Sequence, residues 1–317
     1  MRALALLLAI SAGLAQAQTT PEALALLRKI HHATQTLSYR GTFVYQQGDR
    51  SETSRIARIA DSAGGIEKLE VLDGVPREIV RTRDTLRCYL PESQTVKVER
   101  NGDQRGFPAL LPERFTDLAQ HYVITRGKGA RIAGFDCESV MLASRDELRY
   151  SYKLWADAAT GMLLKARTLN EKGEILEQFT FTQLAIGPVA RDKVMPRHAA
   201  RSWRVEEAGA APANLADAGW SVNADLPGFR KIGEVRRRLR ESQSVGQVVY
   251  SDGLAAVSVF IEPLAGHREP VRPGLSNLGA INIYTREVAN HLVTVVGETP
   301  AVSVRRIADR VEFRRPQ

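Results

Sequence analysis

The stretch "LSYRGTFVYQQG", Leu37–Gly48, shows the pattern that dominates the first half of the chain. Its residues alternate, so Tyr39, Phe43 and Tyr45 would lie on one face of a β-strand. The Gln-Gln-Gly-Asp run at its end predicts a turn. Three aromatic residues on one face are unusual in a chain in which aromatic residues make up 6%. They either close an ordinary core or line a cavity that is open to an apolar ligand.

An amphipathic helix is predicted immediately before this strand, over residues 19–37. Thr20 can cap such a helix and Pro21 suits its first turn. Apolar residues recur at three- and four-residue steps and form one stripe, made of Ala23, Leu26, Leu27, Ile30, Ala33 and Leu37. We expect the neighbouring His31 and His32 to be surface residues, because adjacent helical positions point in different directions and do not share a metal ion.

From Tyr39 to Ile186, short alternating runs are separated by turn residues such as Asp73-Gly74 and Pro91-Glu92. This pattern is typical of a meander of antiparallel strands. One helix followed by a long meander predicts an α+β, mainly β domain, in which a curved sheet wraps around a helix.

The segment Arg105–Tyr122 interrupts the meander. Its glycine and two prolines argue against a strand, yet Phe107, Leu110 and Leu111 are apolar. An apolar loop between strands is either tucked into the core or covers a cavity as a lid.

Two domains and an export signal account for the chain of 317 residues. A cation, an apolar run and an Ala-x-Ala site identify residues 1–17 as a secretory signal peptide. Residues 207–219, rich in Ala, Gly and Pro, predict a linker between a domain of residues 18–206 and a smaller one of residues 220–317. The smaller domain is predicted to be an antiparallel sheet with a closing helix, and Ser251-Asp252-Gly253 predicts one of its hairpins.

The two cysteines and the net charge indicate the redox environment of the protein and the kind of partner that it binds. Cys88 and Cys137 are the two cysteines, and an even count in an exported protein predicts a disulfide; two buried free thiols are the alternative. A net charge of +8 favours anionic partners, while export argues against nucleic acid. In the basic run Arg230–Glu241, the residues Arg236, Arg238 and Arg240 share a strand face and could meet phosphates or an acidic partner; a solvated face is the alternative.

The sequence contains none of the common catalytic motifs. The chain lacks G-x-S-x-G, H-E-x-x-H, C-x-x-C and a glycine-rich phosphate loop, and its six histidines are scattered. We therefore predict a binding protein with no cofactor and no metal site, and not an enzyme.

Four segments together resemble the RseB/MucB family of periplasmic regulators of the envelope-stress sigma factor. They are "LSYRGTFVYQQG", "LRCYLPESQTVKVER" from Leu86, "YSYKLWADAATGMLLKARTLNEKGEILEQFTFT" from Tyr150 and "VYSDGLAAVSVFIEP" from Val249. The piece "LWADAATG" also resembles the lipoprotein carriers LolA and LolB, which lack the second domain. A lipid or lipoprotein carrier of the LolA type is therefore the alternative function.

The resemblance implies an unclosed, LolA/LolB-like half-barrel around helices, followed by a small β-sheet domain with a helix. It also implies binding to the periplasmic domain of an RseA/MucA-type anti-sigma factor, which is thereby shielded from site-1 proteolysis and released by lipopolysaccharide or a related lipid. The protein would then reach the inner membrane only through its partner, and a homo-oligomer is left open. We would then expect lipid contacts at Tyr39, Phe43, Tyr45, Phe107, Leu110 and Leu111. We would expect contacts with a partner or with phosphate at Arg236, Arg238 and Arg240.

Overall fold

The computed structural model describes residues 18–62, 64–100, 115–198, 202–207, 209–240, 243–264 and 273–315. The predicted signal peptide lies outside the described residues. So does the predicted lid with Phe107, Leu110 and Leu111, whose role stays a prediction.

Helix α1 (Pro21–Thr36) forms where the apolar stripe predicted it. Thr20 caps it, since its Oγ1 accepts a hydrogen bond from the backbone N–H of Ala23 at 3.3 Å. The stripe faces inward, with Leu27 and Ile30 fully buried. The helix packs on strands of a large sheet and is the centre of the main hydrophobic core.

The large sheet has twelve strands in the order β12-β6-β5-β4-β3-β2-β1-β11-β10-β9-β8-β7. Its neighbours are antiparallel except for β12 and β6, and the order does not join the edge strands β12 and β7 to each other. The sheet is therefore open, as predicted. Its strands are β1 (Tyr39–Gln47), β2 (Arg50–Ile59), β3 (Ile66–Val71), β4 (Arg77–Thr82), β5 (Thr85–Leu90), β6 (Thr95–Arg100), β7 (Tyr122–Ile132), β8 (Phe135–Ser144), β9 (Ser151–Asp157), β10 (Leu163–Leu169), β11 (Ile175–Ile186) and β12 (Arg204–Glu207).

The two halves of this sheet bury opposite faces. Around β1 and β7–β11, the buried face carries Tyr39 and packs on α1 and on the short helix α2 (Phe115–His121). At β4–β6, a second cluster of Val80, Tyr89 and Val98 packs on Trp203. The strand register puts Arg40 and Val80 on the same face, which is the face opposite Tyr39. The chain that follows β11, including a 3-10 helix (Arg191–Val194), therefore crosses the face that α1 leaves uncovered.

The smaller unit is a seven-stranded sheet in the order β13-β15-β16-β17-β20-β19-β18, with helix α3 packed on β19 and β20. A pair of short strands, β14 and β21, lies beside it. The elements are β13 (Ala210–Pro212), β14 (Trp220–Ser221), β15 (Arg230–Arg240), β16 (Gln243–Ser251), β17 (Ala256–Pro263), β18 (Gly274–Leu278), β19 (Ile281–Val288), β20 (His291–Gly297), α3 (Ala301–Asp309) and β21 (Glu312–Phe313). The predicted fold class, an open sheet around a helix plus a small sheet with a helix, is confirmed.

Parts of the segment predicted as a linker, residues 207–219, contact the small unit. Ala210–Pro212 pairs with β15, and Leu215 is buried in the core of the small unit. Leu215 lies against Gly246 of β16 so closely that a Cβ added there would stand 2.8 Å from its Cδ2 atom. Residues 209–212 are exposed, whereas Leu215 attaches the segment to the small unit. That residues 207–219 separate two domains stays a prediction.

The predicted disulfide is contradicted by the structure, in which both cysteines are free thiols. Cys88 lies on β5 and Cys137 on β8, and the strands β4, β3, β2, β1, β11, β10 and β9 separate these two in the sheet. A disulfide needs Cα atoms within about 7 Å, whereas neighbouring strands are already about 4.8 Å apart. Burial raises the pKa of both thiols, that of Cys137 to about 11.

Candidate functional site: the junction of the two sheets

The aromatic face of β1 belongs to the main core. Tyr39 is fully buried and meets Phe181 edge to face at 6.4 Å, while Phe43 meets Phe181 at 5.7 Å. These two residues therefore pack within the core, as the first of the two alternatives expects. Lipid contact at either of them stays a prediction, and it would require this packing to open.

Tyr45, the third aromatic residue, differs because it is half-buried and polar at its tip. Its hydroxyl donates a hydrogen bond to Glu177 at 2.5 Å. Burial and the neighbouring carboxylate of Glu177 raise its pKa above the usual range. Its hydroxyl group is thus a fixed donor within the large sheet, and a lipid contact here is likewise still a prediction.

A buried arginine joins the two sheets. Arg149, just before β9, has a fully buried side chain whose Nη1 lies 2.8 Å from Oδ2 of Asp252, which is also fully buried. Its Nε lies 3.0 Å from Asp146, and its Nη2 donates to the carbonyl of Pro227. Burial acts to lower the pKa of Arg149, but the carboxylates of Asp252 and Asp146 outweigh it and raise that pKa. The guanidinium group is therefore a permanent cation at the junction.

Two aromatic rings and a hydroxyl complete this joint. The guanidinium group lies 5.7 Å from the ring centre of Tyr122 and 5.2 Å from that of Phe229. The hydroxyl of Tyr122 is 3.1 Å from Asp252. Asp252 also accepts hydrogen bonds from the backbone of Leu254 and Ala255, both at 2.9 Å, so the β16–β17 hairpin presents it in a fixed position. We call Arg149, Asp252, Tyr122 and Phe229 the interdomain joint.

Further polar contacts extend the junction beyond the joint. Asn282 donates to the hydroxyl of Tyr150 at 2.9 Å, and Ser303 of α3 donates to the carbonyl of Leu148 at 2.7 Å. Both bonds are buried, where a hydrogen bond is costly to break. The two sheets are therefore held in one arrangement by buried polar groups from several elements.

This arrangement leaves a cleft of about 640 Å³ between the sheets. Turns between strands of the large sheet contribute the acidic residues Asp146, Glu147 and Glu171, and the small unit contributes Asn277, Asn282 and Val302. Val302 is 40% exposed, and strand β18, which carries Asn277, is an exposed edge of its sheet. The cleft combines carboxylates, an apolar rim and the outer edge of β18, with which no other described strand pairs, and this suits an extended peptide segment.

The predicted arginine face is only partly described. Arg236 is exposed on β15, whereas the side chains of Arg238 and Arg240 lie outside the described part, and a register shift interrupts the strand between these two residues. Arg237, which the alternation assigned to the other face, bonds to Glu99 of β6 at 2.8 Å. The contact that ties β15 to the large sheet is thus made by the arginine that sequence reasoning passed over.

Two negative observations apply to the described residues. They contain no group of three or more His, Cys, Asp and Glu side chains that could hold a metal ion. None of their helices is both long enough and apolar enough to cross a membrane.

The fold and the junction define the class of protein: a two-domain, mainly β protein in which an open sheet around a helix is fixed to a smaller sheet, with a composite cleft between them. Two family models match this chain, the MucB/RseB N-terminal domain over residues 22–199 and the MucB/RseB C-terminal domain over residues 214–312. The chain belongs to the MucB/RseB family.

Similar proteins cover almost the whole chain. The sigma factor AlgU regulatory protein MucB of Pseudomonas aeruginosa is 32% identical over 292 residues, which are 89% of this chain and 88% of that protein. The sigma-E factor regulatory protein RseB of Escherichia coli is 26% identical over 305 residues, 94% of this chain and 93% of that protein.

Solved structures of MucB have the same fold. A crystal structure of MucB in complex with MucA(peri) is 29% identical, with a TM-score of 0.70, over 93% of this chain and 100% of that chain. The Pseudomonas aeruginosa MucA/MucB complex gives 30% identity and a TM-score of 0.72 over the same shares.

Proposed function

We propose that this protein is a periplasmic regulator of an envelope-stress sigma factor, and that it acts by binding the periplasmic domain of a membrane-bound anti-sigma factor. The observation that carries the proposal is the similarity, through both domains, to MucB as it is found in complex with MucA(peri). Relatives named as regulators of AlgU and of sigma-E support the same role. By holding its partner, the protein would shield it from the protease that starts the stress response, and a lipid such as lipopolysaccharide would release it.

The cleft at the junction is our proposed contact for the partner. Its walls come from both domains, so a bound segment would need the two sheets in their joined arrangement. The exposed edge of β18 can pair with an extended backbone, and the carboxylates of Glu147 and Glu171 favour basic side chains on that segment.

A pull-down from envelope extract tests the function itself. The mature chain should retain an inner-membrane anti-sigma factor, detected by mass spectrometry. Recovery of lipoproteins without an anti-sigma factor would contradict the proposal and favour a carrier of the LolA type.

The cleft is tested with two matched valine variants and the periplasmic domain of that anti-sigma factor. Val302→Lys, on the cleft rim, should weaken binding about tenfold or more, because it replaces apolar contact with a cation that repels the basic side chains of the segment. Val75→Lys, at an exposed turn that does not line the cleft, should leave affinity unchanged. Equal affinities for both variants would place the partner elsewhere on the surface.

A further inference from the structure

A second cavity lies on the large sheet, on the face opposite the core of α1. It has a volume of about 700 Å³, within the range of small-molecule sites, and is lined by β1, β2, β3, β11 and the 3-10 helix with the residues that follow it. The strand register explains the open space. Arg40 has Ala57 beside it on β2 and Ala185 on β11, so two small side chains flank one long cation.

The lining is predominantly cationic. It contains five basic side chains, Arg40, Arg55, Lys68, Lys193 and Arg197, and two acidic ones, Glu70 and Asp192. Lys68 is already neutralised, since its Nζ lies 2.7 Å from Glu78 and both side chains are buried. The four remaining cations face two carboxylates, so the cavity keeps an excess of positive charge.

The available charge is concentrated on three arginines. Arg55 and Arg197 approach opposite oxygens of Glu70, at 3.2 and 3.1 Å, so two guanidinium groups share one carboxylate. Arg40 is exposed and forms no ion pair with any other described residue. Lys193 pairs with Asp192 at 2.9 Å, and because both are more than half exposed this bond is weak.

The wall formed by the 3-10 helix is fixed by buried contacts. Val194 is fully buried, Lys68 donates to the carbonyl of Met195 at 3.1 Å, and the backbone N–H of Arg197 donates to Glu78 at 2.8 Å. The buried Lys68–Glu78 pair therefore anchors the segment that carries Arg197. The cavity is a built concave site and not merely a patch of surface charge.

We propose that this cavity binds a phosphorylated ligand, with Arg40, Arg55 and Arg197 contacting the phosphate group. Planar guanidinium groups match phosphate oxygens in pairs of parallel hydrogen bonds, and a concave wall strengthens the attraction. A phosphate monoester carries up to two negative charges and three acceptor oxygens, which matches the excess of two cations better than a monocarboxylate does. The proposal does not depend on the partner contact at the cleft, which lies at the junction of the two sheets.

The test is a set of calorimetric titrations on the mature chain with three probes: inorganic phosphate, glucose 6-phosphate, and phosphatidylcholine vesicles with or without phosphatidic acid. Arg40→Gln should weaken binding about tenfold or more, by loss of charge-assisted hydrogen bonds, with little change in Tm. Arg87→Gln is the matched control, because Arg87 is an exposed strand arginine of the same sheet outside the cavity. It should bind as the wild type does.

A second variant blocks the space without changing charge. Ala185→Leu adds apolar volume at an exposed lining position and should also weaken binding. Binding of the soluble phosphates supports a free ligand, and binding only to vesicles with phosphatidic acid supports a lipid headgroup. The proposal is overturned if the wild type binds no probe, if Arg40→Gln and Ala185→Leu both bind normally, or if Arg87→Gln loses as much affinity as Arg40→Gln.

Discussion

Replacing Asp252 by asparagine should destabilise the protein far more than any change at an exposed ion pair. The carboxylate lies 2.8 Å from a guanidinium group, and both side chains are fully buried. Asparagine keeps the size and one acceptor oxygen for the backbone of Leu254 and Ala255, so the change removes mainly the charge. Arg149 would retain only one carboxylate partner, Asp146, whose side chain is 29% exposed. A buried charge that loses its partner costs about 3–5 kcal/mol, and we expect the free energy of unfolding to fall by about 3 kcal/mol.

Urea denaturation, followed by circular dichroism, measures this loss. The matched control is Asp117→Asn, because Asp117 forms a cross-domain ion pair with Arg230 at 3.4 Å with both side chains more than a third exposed. That pair should contribute less than about 1 kcal/mol. The double variant Arg149→Met/Asp252→Asn should recover much of the stability that the single variants Arg149→Met and Asp252→Asn lose. No fully buried charge is then left without a partner, and the asparagine still accepts hydrogen bonds from the backbone of Leu254 and Ala255. The reasoning is refuted if Asp252→Asn costs no more than Asp117→Asn, or if the two single losses simply add in the double variant.

Two further predictions concern the cysteines and the segment of residues 207–219. Denatured, unreduced protein should react with two equivalents of a thiol reagent per chain, because Cys88 and Cys137 are free. In the native protein at pH 8, Cys137 should react more slowly than it does in the denatured chain, because it is buried and its pKa is raised to about 11. If the reagent does not label the denatured chain, the two cysteines form a disulfide after all. Leu215→Ala should lower the free energy of unfolding by about 2–5 kcal/mol in urea denaturation, because Leu215 is a core residue of the small unit. The control Ala216→Gly, at an exposed position beside it, should lower that free energy by less than about 1 kcal/mol. Equal small losses for both variants would indicate that residues 207–219 are a flexible linker.

Local patterns predicted the local structure well. Thr20, Pro21 and the apolar stripe predicted α1, and strict alternation predicted β1, because capping and side-chain periodicity are properties of a few adjacent residues. Both signals also led to the fold class, since a helix with one apolar stripe and a long meander have few ways to bury their apolar faces.

Long-range contacts were not predictable in this way. Arg149 and Asp252 are 103 residues apart, and a charged residue in an alternating run gives no sign that it is buried. Asp252 was visible in the sequence only as a turn residue. The prediction of a disulfide was wrong for a similar reason, because a cysteine count does not reveal that β5 and β8 lie in different halves of one sheet.

Net charge was the least informative sequence property, and the structure shows why. A value of +8 predicts anionic partners for the molecule as a whole, yet a cation that is matched by a carboxylate of its own keeps little charge for a ligand. Arg149 and Arg237 are held by Asp252 and Glu99, and Lys68 is held by Glu78. Arg40 has alanines on both sides, because the register of β1 against β2 and β11 places Ala57 and Ala185 there. A shift of that register by one residue would turn Arg40 toward the core and Tyr39 toward solvent. The same pairing that buries Tyr39 therefore presents Arg40 to the cavity, so core packing and the proposed phosphate site depend on one strand register.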